Sequence, residues 1–217
     1  MTMRYQTYFW DFDGTLFDTY PIMVDAFMQA LQRQHVSEIE MDEVEYYEVM
    51  RRHSLGTAVQ QFSSMYGVDA TRLEQDYRRI EATMIENARP FDGIPALLRS
   101  IQAQGGQHFL LTHRDKSALT LLAQDDLKDL FTGFVTSEQA YARKPDPESL
   151  TALITQYQVD RSTAIMIGDR NLDVEAGHRA GIAGALFDPG RLINGTVSRP
   201  EISVTNVIGL RDALLAD

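Results

Sequence analysis

Four short motifs in this chain carry the side chains that are best suited to chemistry. They are DFDGT at residues 11–15, LLT at 110–112, RKPDP at 143–147 and GDRNLD at 168–173, and their reactive residues are Asp11, Asp13, Thr112, Lys144, Asp169 and Asp173. Each motif alone also has an ordinary explanation, because Asp before Gly is common in turns and an Asp that follows a strand often caps a helix. The four motifs therefore have to be judged as a set.

Together, these residue types suit a bound cation and a phosphoryl group. Carboxylates that converge on one place repel each other unless a positive charge lies between them. Mg²⁺ is the natural candidate, since it takes one or two carboxylates together with phosphate oxygens and water. A lysine and a hydroxyl directed at the same place suit an anionic group whose charge is spread over several oxygens. The set favours phosphoryl chemistry.

The patterns around the motifs predict how they are brought together. Short apolar runs predict strands at residues 7–10, 108–112, 133–136, 163–168 and 185–187. From residue 94 onward these runs alternate with helical patterns, which implies right-handed crossovers and a parallel sheet. Between residues 21 and 88 the apolar residues recur at helical spacing with no convincing strand. The sequence therefore predicts an α/β fold in which a Rossmann-like parallel-sheet core, residues 1–17 and 89–217, carries an all-helical insertion at 18–88.

Composition narrows the possible functions further. The chain has 217 residues and no cysteine, which excludes a disulfide framework, a thiolate zinc site, an iron–sulfur cluster and a cysteine nucleophile. Its 20 Lys and Arg residues against 31 Asp and Glu residues give a formal charge of −11, which argues against non-specific binding to nucleic acid or anionic membranes. No apolar run is long enough to span a bilayer, and the first residues lack a signal-peptide core. We expect a soluble cytoplasmic protein with no nucleic-acid or membrane partner.

In their order and residues, the four motifs resemble those of the haloacid dehalogenase superfamily of phosphohydrolases. The helical insertion after the first motif resembles the cap of the phosphoglycolate phosphatase-like and beta-phosphoglucomutase-like branch. The resemblance implies a catalytic core at 1–17 and 89–217 and a helical cap domain at 18–88. It also implies a Mg²⁺-dependent phosphatase that hydrolyses a small phosphorylated metabolite, either phosphoglycolate-like or a sugar phosphate, through an aspartyl-phosphate intermediate.

The resemblance assigns a role to each motif residue. Asp11 would be the nucleophile, and Asp13 would act as general acid and then base while binding the metal through its backbone carbonyl. Thr112 and Lys144 would hold the phosphoryl oxygens. Asp169 would be a direct Mg²⁺ ligand.

Further residues are expected around this centre. Asp173 lies one helical turn after Asp169. It would orient the groups around the metal through a hydrogen bond or a water molecule. Gly14 would form the tight turn that lets backbone amides approach the phosphoryl group. His113 and Arg114 are placed to meet substrate, although a neutral solvated histidine is an equally ordinary interpretation of the first. In the cap, Arg51 loosely matches an arginine of mutase-like relatives.

Several alternatives stay open at this level. Arg51, Arg52 and His53 are explained equally well as solvated residues at a helix boundary. A phosphosugar mutase of the beta-phosphoglucomutase type would use the same motif residues, and a non-catalytic binding or regulatory relative would keep the fold. The intact set of motif residues disfavours the last of these. The sequence does not distinguish a monomer from a homodimer.

Overall fold

The computed structural model describes residues 4–215, which form two compact units. One unit contains the residues up to Phe17 and those from Arg89 onward, and the other is Asp18–Ala88. The roles of these units as a catalytic core and a cap stay predictions.

The unit Asp18–Ala88 is helical, with no strand among its residues, all of which the structure describes. Its helices are α1 (Tyr20–Gln32), α2 (Glu43–Arg52), α3 (Leu55–Tyr66) and α4 (Ala70–Met84). Local signals fix their ends: the side chains of Asp42, Ser54 and Asp69 each accept a hydrogen bond from the backbone N–H three residues on, at the starts of α2, α3 and α4. Helix α3 ends at Gly67, whose φ of +65° favours glycine.

An aromatic cluster forms the core of this helical unit. The ring of Phe27 lies 5.3 Å from Tyr46, 5.9 Å from Phe62 and 6.3 Å from Tyr77, measured between centroids, and all three pairs meet edge to face. This is the geometry that aromatic quadrupoles prefer. The regularly spaced aromatic residues of the insertion therefore pack against one another.

The other unit is built on a parallel six-stranded sheet. Its strands are β1 (Thr7–Trp10), β2 (Gln107–Leu111), β3 (Phe131–Val135), β4 (Ala164–Gly168), β5 (Ala183–Phe187) and β6 (Ile202–Val204). They lie in the order β3-β2-β1-β4-β5-β6, so that the first strand of the chain lies inside the sheet. Trp10 pairs in register with Leu110 of β2 and Ile167 of β4. The residues that follow these three strands therefore leave the sheet at the same edge.

Five helices of the described chain accompany the sheet. They are α5 (Ile94–Ala103), α6 (Ser117–Gln124), α7 (Glu148–Gln156), α8 (Asn171–Arg179) and α9 (Val207–Leu214). The predicted α/β class with a parallel sheet is confirmed. Two elements, β6 and α9, were not predicted, because a three-residue edge strand carries too short a pattern to recognise. Within residues 4–215, none of the helices has both the length and the apolar character needed to cross a membrane.

Helix α8 lies close to strands β4 and β5 because glycines of the helix and of the sheet lie where the two pack together. A Cβ on Gly184 of β5 would lie 2.7 Å from Cγ1 of Val174, and a Cβ on Gly177 of α8 would lie 3.0 Å from the carbonyl oxygen of Ala183. Both distances are shorter than ordinary carbon contacts allow. The absence of side chains therefore sets how near the helix comes to the sheet.

A buried histidine of β2 joins that strand to β1. The indole Nε1–H of Trp10 donates to Nδ1 of His108 at 3.0 Å, and Nε2 of the same ring lies 3.0 Å from the carbonyl oxygen of Leu98. Because an indole can only donate, Nδ1 is the acceptor and Nε2 carries the proton. Burial lowers the pKa of His108 to about 4. The ring is therefore a neutral structural residue at neutral pH.

The free energy of unfolding should consequently decrease as pH falls from 6.5 toward 4. In this window the unfolded chain takes up a proton that His108 does not accept in the fold, and a depression of this size corresponds to about 3 kcal/mol at most. His108→Gln keeps a donor and an acceptor but does not titrate, so its unfolding free energy should depend less on pH in this window. Urea unfolding at a series of pH values measures the difference.

A control variant and a contradicting outcome make that comparison specific. His35→Gln removes an exposed histidine and should keep the wild-type pH dependence. If His108→Gln shows the same slope of unfolding free energy against pH as the wild type, His108 does not contribute in the way described.

Candidate active site

The parallel strands place the four motifs at one edge of the sheet. Asp11 follows β1 and its N–H donates to the carbonyl oxygen of Ile167 in β4 at 2.9 Å. Thr112 follows β2 and its N–H donates to Val135 of β3 at 3.0 Å. Asp169 directly follows β4 and is fully buried. Backbone pairing with the neighbouring strand thus continues to the first polar residue of the motif.

Lys144 is the centre of the polar cluster at this edge. Its Nζ donates to Oδ1 of Asp11 and to Oδ1 of Asp173, both at 2.6 Å, and to the carbonyl oxygen of Leu111 at 3.1 Å. The Lys144 side chain is 1% exposed. An ammonium has three protons, so these three acceptors use all of them. The lysine, itself in the third motif, thereby joins all four motifs.

His113 holds the loop that carries Lys144. The backbone N–H of Lys144 donates to Nε2 of His113 at 2.9 Å, so the imidazole proton is on Nδ1. Burial, followed by the positive charges of Lys144 and Arg143, lowers the pKa of His113 to about 3. A substrate contact was predicted for this histidine, and the structure gives it a contact with the lysine loop.

The predicted general acid, Asp13, pairs with Arg114. The guanidinium Nε lies 2.8 Å from Oδ1 and 3.1 Å from Oδ2 of Asp13, and Nη2 lies 2.8 Å from Oδ1. The backbone N–H of Arg114 donates to Oγ1 of Thr112 at 3.0 Å. The Asp13 carboxylate is thus paired with an arginine. This agrees with the expectation that the Asp13 side chain does not hold the metal.

Three buried carboxylates can converge on a cation. Oxygen atoms of Asp11, Asp169 and Asp173 lie within 4.8 Å of one another. The positive groups nearest to them are Lys144 and the Arg170 guanidinium, whose Nε is 3.7 Å from Oδ1 of Asp169. A site made only of anionic oxygen ligands suits a hard divalent cation such as Mg²⁺. The residues present therefore fit the expected metal.

The charges of this cluster perturb its pKa values in opposite directions. Burial raises the pKa of Asp11 to about 7, with Lys144 opposing the shift and Asp173 and Asp169 adding to it. Desolvation also acts on Asp173, but Lys144 and Arg170 outweigh it and hold its pKa below the ordinary value. The same pairing raises the pKa of Lys144 despite its burial. The lysine is therefore charged, and the carboxylates are crowded.

Asp173 makes more contacts than the sequence suggested. Besides the bond from Lys144, its Oδ2 accepts a hydrogen bond from the N–H of Arg170 at 3.1 Å. It reaches this position because Gly168 lies beneath it: a Cβ on Gly168 would be 2.2 Å from Cβ and Cγ of Asp173. Gly168 was not predicted as a site residue. The signal for it was present as the Gly before Asp in the fourth motif.

The remaining predicted residues lie as follows. Gly14 has a φ of +73°, as its turn requires, and its N–H donates to the carbonyl oxygen of Phe17 at 2.8 Å. In the helical unit, Arg51 is buried and its guanidinium lies 5.1 Å from the ring centroid of Tyr20. Arg52 and His53 are exposed at the end of α2.

A cavity of about 410 Å³ opens beside Thr112 and Lys144. The end of β3 and the segment 139–143 line it, and they contribute polar side chains that the sequence analysis did not single out, among them Ser137, Gln139 and Tyr141. They lie close in sequence to the third motif at 143–147, but none of them belongs to a motif, so the sequence did not mark them as part of the site.

Residues 8–187 match the haloacid dehalogenase-like hydrolase family. Since this range covers most of the 217 residues, the chain belongs to that family, and the resemblance in its four motifs is confirmed.

Individual relatives support the same assignment. The chain is 29% identical over 182 residues to an N-acetylmuramic acid 6-phosphate phosphatase of Pseudomonas aeruginosa, covering 82% of this chain and 80% of that protein. It is 26% identical over 186 residues to a phosphoglycolate phosphatase of Caulobacter vibrioides, covering 83% and 78%. A solved structure of a hydrolase from Streptococcus pneumoniae is 34% identical, with a TM-score of 0.66, and the match covers 85% of this chain and 94% of that one.

The close approach at Gly168 predicts that Gly168→Ala displaces Asp173 from Lys144. We expect it to lower the free energy of unfolding by about 1–3 kcal/mol, the usual cost of overpacking. Urea unfolding measures this loss. Gly209→Ala in α9 is the matched control, because the nearest atoms to its added Cβ lie at 3.5 Å or more. Unchanged stability of Gly168→Ala would show that the helix adjusts without strain.

The carboxylate cluster predicts a stabilising effect of Mg²⁺ that needs no substrate. A ligand that binds only the folded state at 100 times its Kd stabilises that state by about 2.7 kcal/mol, so Mg²⁺ should raise the Tm of the wild type. Asp169→Asn should respond much less, whereas Asp129→Asn, at an exposed carboxylate, should respond like the wild type. Equal shifts of Tm for the wild type and Asp169→Asn would exclude Asp169 as a principal ligand.

Proposed function

We propose that this protein is a Mg²⁺-dependent phosphatase that hydrolyses a small phosphorylated metabolite through an aspartyl-phosphate intermediate. Its family membership and its phosphatase relatives support a phosphatase activity. The observation that carries the proposal is the buried group in which Lys144 joins Asp11 to Asp173, with Asp169 beside them. At one edge of the sheet, this group combines a carboxylate that can act as a nucleophile with carboxylates that can bind a cation.

Asp11 is the proposed nucleophile. The ammonium of Lys144, 2.6 Å from its Oδ1, stabilises the ionised form that attack on phosphorus requires. One carboxylate oxygen would form the new bond to phosphorus as the ester oxygen departs on the opposite side. Oxygens of Asp11, Asp169 and Asp173, with the backbone carbonyl of Asp13 that the family resemblance adds, would hold Mg²⁺. When bound, the cation would neutralise charge on the phosphoryl oxygens.

Asp13 is the proposed acid and base. It would give a proton to the departing alkoxide oxygen and later take one from the water that attacks the phosphorus of the aspartyl-phosphate. That second step returns Asp11 as a free carboxylate and releases inorganic phosphate, so the protein ends each cycle unchanged. The Asp13 side chain is 22% exposed, so water can reach it, unlike the fully buried Asp173.

Thr112 and Lys144 are the proposed contacts to the phosphoryl oxygens. The hydroxyl oxygen of Thr112 accepts the N–H of Arg114, which leaves the hydroxyl proton to be donated to an anion. Lys144 uses its three protons on Asp11, Asp173 and Leu111, so a bond to a phosphoryl oxygen would replace one of these. Its positive charge would stabilise the transition state in either arrangement.

The substrate is proposed to be a small phosphate monoester. The names of the relatives include a phosphosugar and phosphoglycolate, both of which are alkyl phosphates. In keeping with the resemblance, we assign Asp18–Ala88 as the cap and the sheet unit as the catalytic core. A cytoplasmic location and a monomeric or homodimeric state stay predictions from the sequence.

Phosphate release from p-nitrophenyl phosphate tests the proposed activity. With Mg²⁺ the wild type should release phosphate, and EDTA should abolish the release. Asp11→Asn, which removes the nucleophile but keeps the side-chain shape, should lower kcat by about 10³-fold or more. The exposed-site variant Asp129→Asn should retain wild-type activity.

The outcome also separates the alternatives. Equally slow release by the wild type and Asp11→Asn, with or without Mg²⁺, would contradict a phosphatase and favour a non-catalytic relative. For an active protein, a panel of phosphoglycolate, sugar phosphates and nucleoside monophosphates identifies the preferred ester. A mutase would convert one sugar phosphate to its isomer without release of inorganic phosphate.

A further inference from the structure

The pair between Arg114 and Asp13 is more constrained than an ordinary surface ion pair. The two side chains are 9% and 22% exposed, and the guanidinium contacts the carboxylate through Nε and Nη2. Two-point contacts of this kind fix the plane of a carboxylate as well as its position. A lysine would offer a point charge without such a constraint.

The backbone of Arg114 is itself held on both sides. Its N–H donates to Oγ1 of Thr112 at 3.0 Å, and its carbonyl oxygen accepts the N–H of Ser137 at 2.9 Å. The first bond ties the arginine to the loop after β2, and the second ties it to the residues after β3. The backbone of Arg114 is therefore held in place, and this fixes the position from which its guanidinium contacts Asp13.

The contacts also distinguish the two oxygens of Asp13. Oδ1 lies 2.8 Å from Nε, which donates to it, and 2.8 Å from Nη2, whereas Oδ2 accepts only the longer 3.1 Å bond from the same Nε–H. A carboxylate oxygen accepts about two hydrogen bonds. Oδ1 is thus the more closely held oxygen, and Oδ2 retains the capacity to exchange a proton with a substrate oxygen or with water.

We propose that Arg114 is a positioning residue that orients Asp13 so that Oδ2 performs the acid and base steps. This inference rests on the proposed phosphatase activity and deepens it. It replaces the predicted substrate contact of Arg114 with a role exerted through another side chain. In the acid step such an effect is selective, since that step matters only for reactions in which the leaving group needs a proton.

Two substrates with different leaving groups measure this selectivity. An alkoxide leaves only with a proton, whereas p-nitrophenolate is stable enough to leave without one. The kcat/KM covers the steps up to departure of the leaving group, and it excludes the later hydrolysis of the intermediate. For Arg114→Ala, kcat/KM should fall about 10- to 100-fold on the alkyl phosphate that the wild type hydrolyses fastest, which is part of the roughly 10²- to 10⁴-fold that general acid catalysis contributes. On p-nitrophenyl phosphate it should fall less than about threefold.

Control variants make the assignment specific. Arg114→Lys keeps the charge without the two-point contact and should lie between Arg114→Ala and the wild type on the alkyl phosphate. Arg99→Ala removes an exposed arginine of α5 and should match the wild type on both substrates. Asp13→Asn should show the same leaving-group selectivity in a stronger form. Adding Arg114→Ala to Asp13→Asn should cause no further loss, because the arginine acts through that aspartate.

The outcomes distinguish a failure of the positioning role from a failure of the proposed function. If the wild type releases no phosphate, the phosphatase proposal itself fails. If the wild type is active and Arg114→Ala loses kcat/KM equally on both substrates, or on neither, the positioning role is overturned. A further loss in the double variant also overturns it. Melting temperatures of all variants identify any loss that arises from unfolding.

Discussion

The rest of the site depends on the ion pairs of one buried lysine. Lys144 places a positive charge among carboxylates that burial would otherwise disfavour, and each of its protons meets an acceptor. Burying a charge costs several kcal/mol unless it is paired and hydrogen-bonded, so the arrangement is stable only when all partners are present. The bonds reach Asp11 directly after β1, Leu111 of β2 and Asp173 of α8. The lysine thus couples the chemistry of the site to the assembly of the sheet edge.

This coupling places strict demands on local packing. Helix α8 must approach β4 closely enough for Asp173 to reach the lysine, and the absence of a side chain at Gly168 makes that approach possible. The loop that carries Lys144 must also be held, which His113 does through a backbone hydrogen bond. Gly168 and His113 thereby influence where the charged groups of the site lie.

Two aspartates of the first motif have very different surroundings. Asp11 is buried against Lys144 and two further carboxylates, whereas Asp13 is partly exposed and held by Arg114. The same functional group is therefore suited to two tasks. A carboxylate beside a buried ammonium suits nucleophilic attack, and one that water can reach suits repeated proton exchange.

The sequence by itself determined the fold class, the family and the identity of the motif residues. It could do so because strand and helix periods and the residues at strand ends are local signals. Only the tertiary structure decided which partner each side chain meets: Asp13 with Arg114, Lys144 with Asp173, and His113 with the backbone of Lys144. It also revealed β6 and α9, and the close approach at Gly168. The three side-chain pairings depend on distances between segments far apart in the chain, which packing sets and no local pattern encodes.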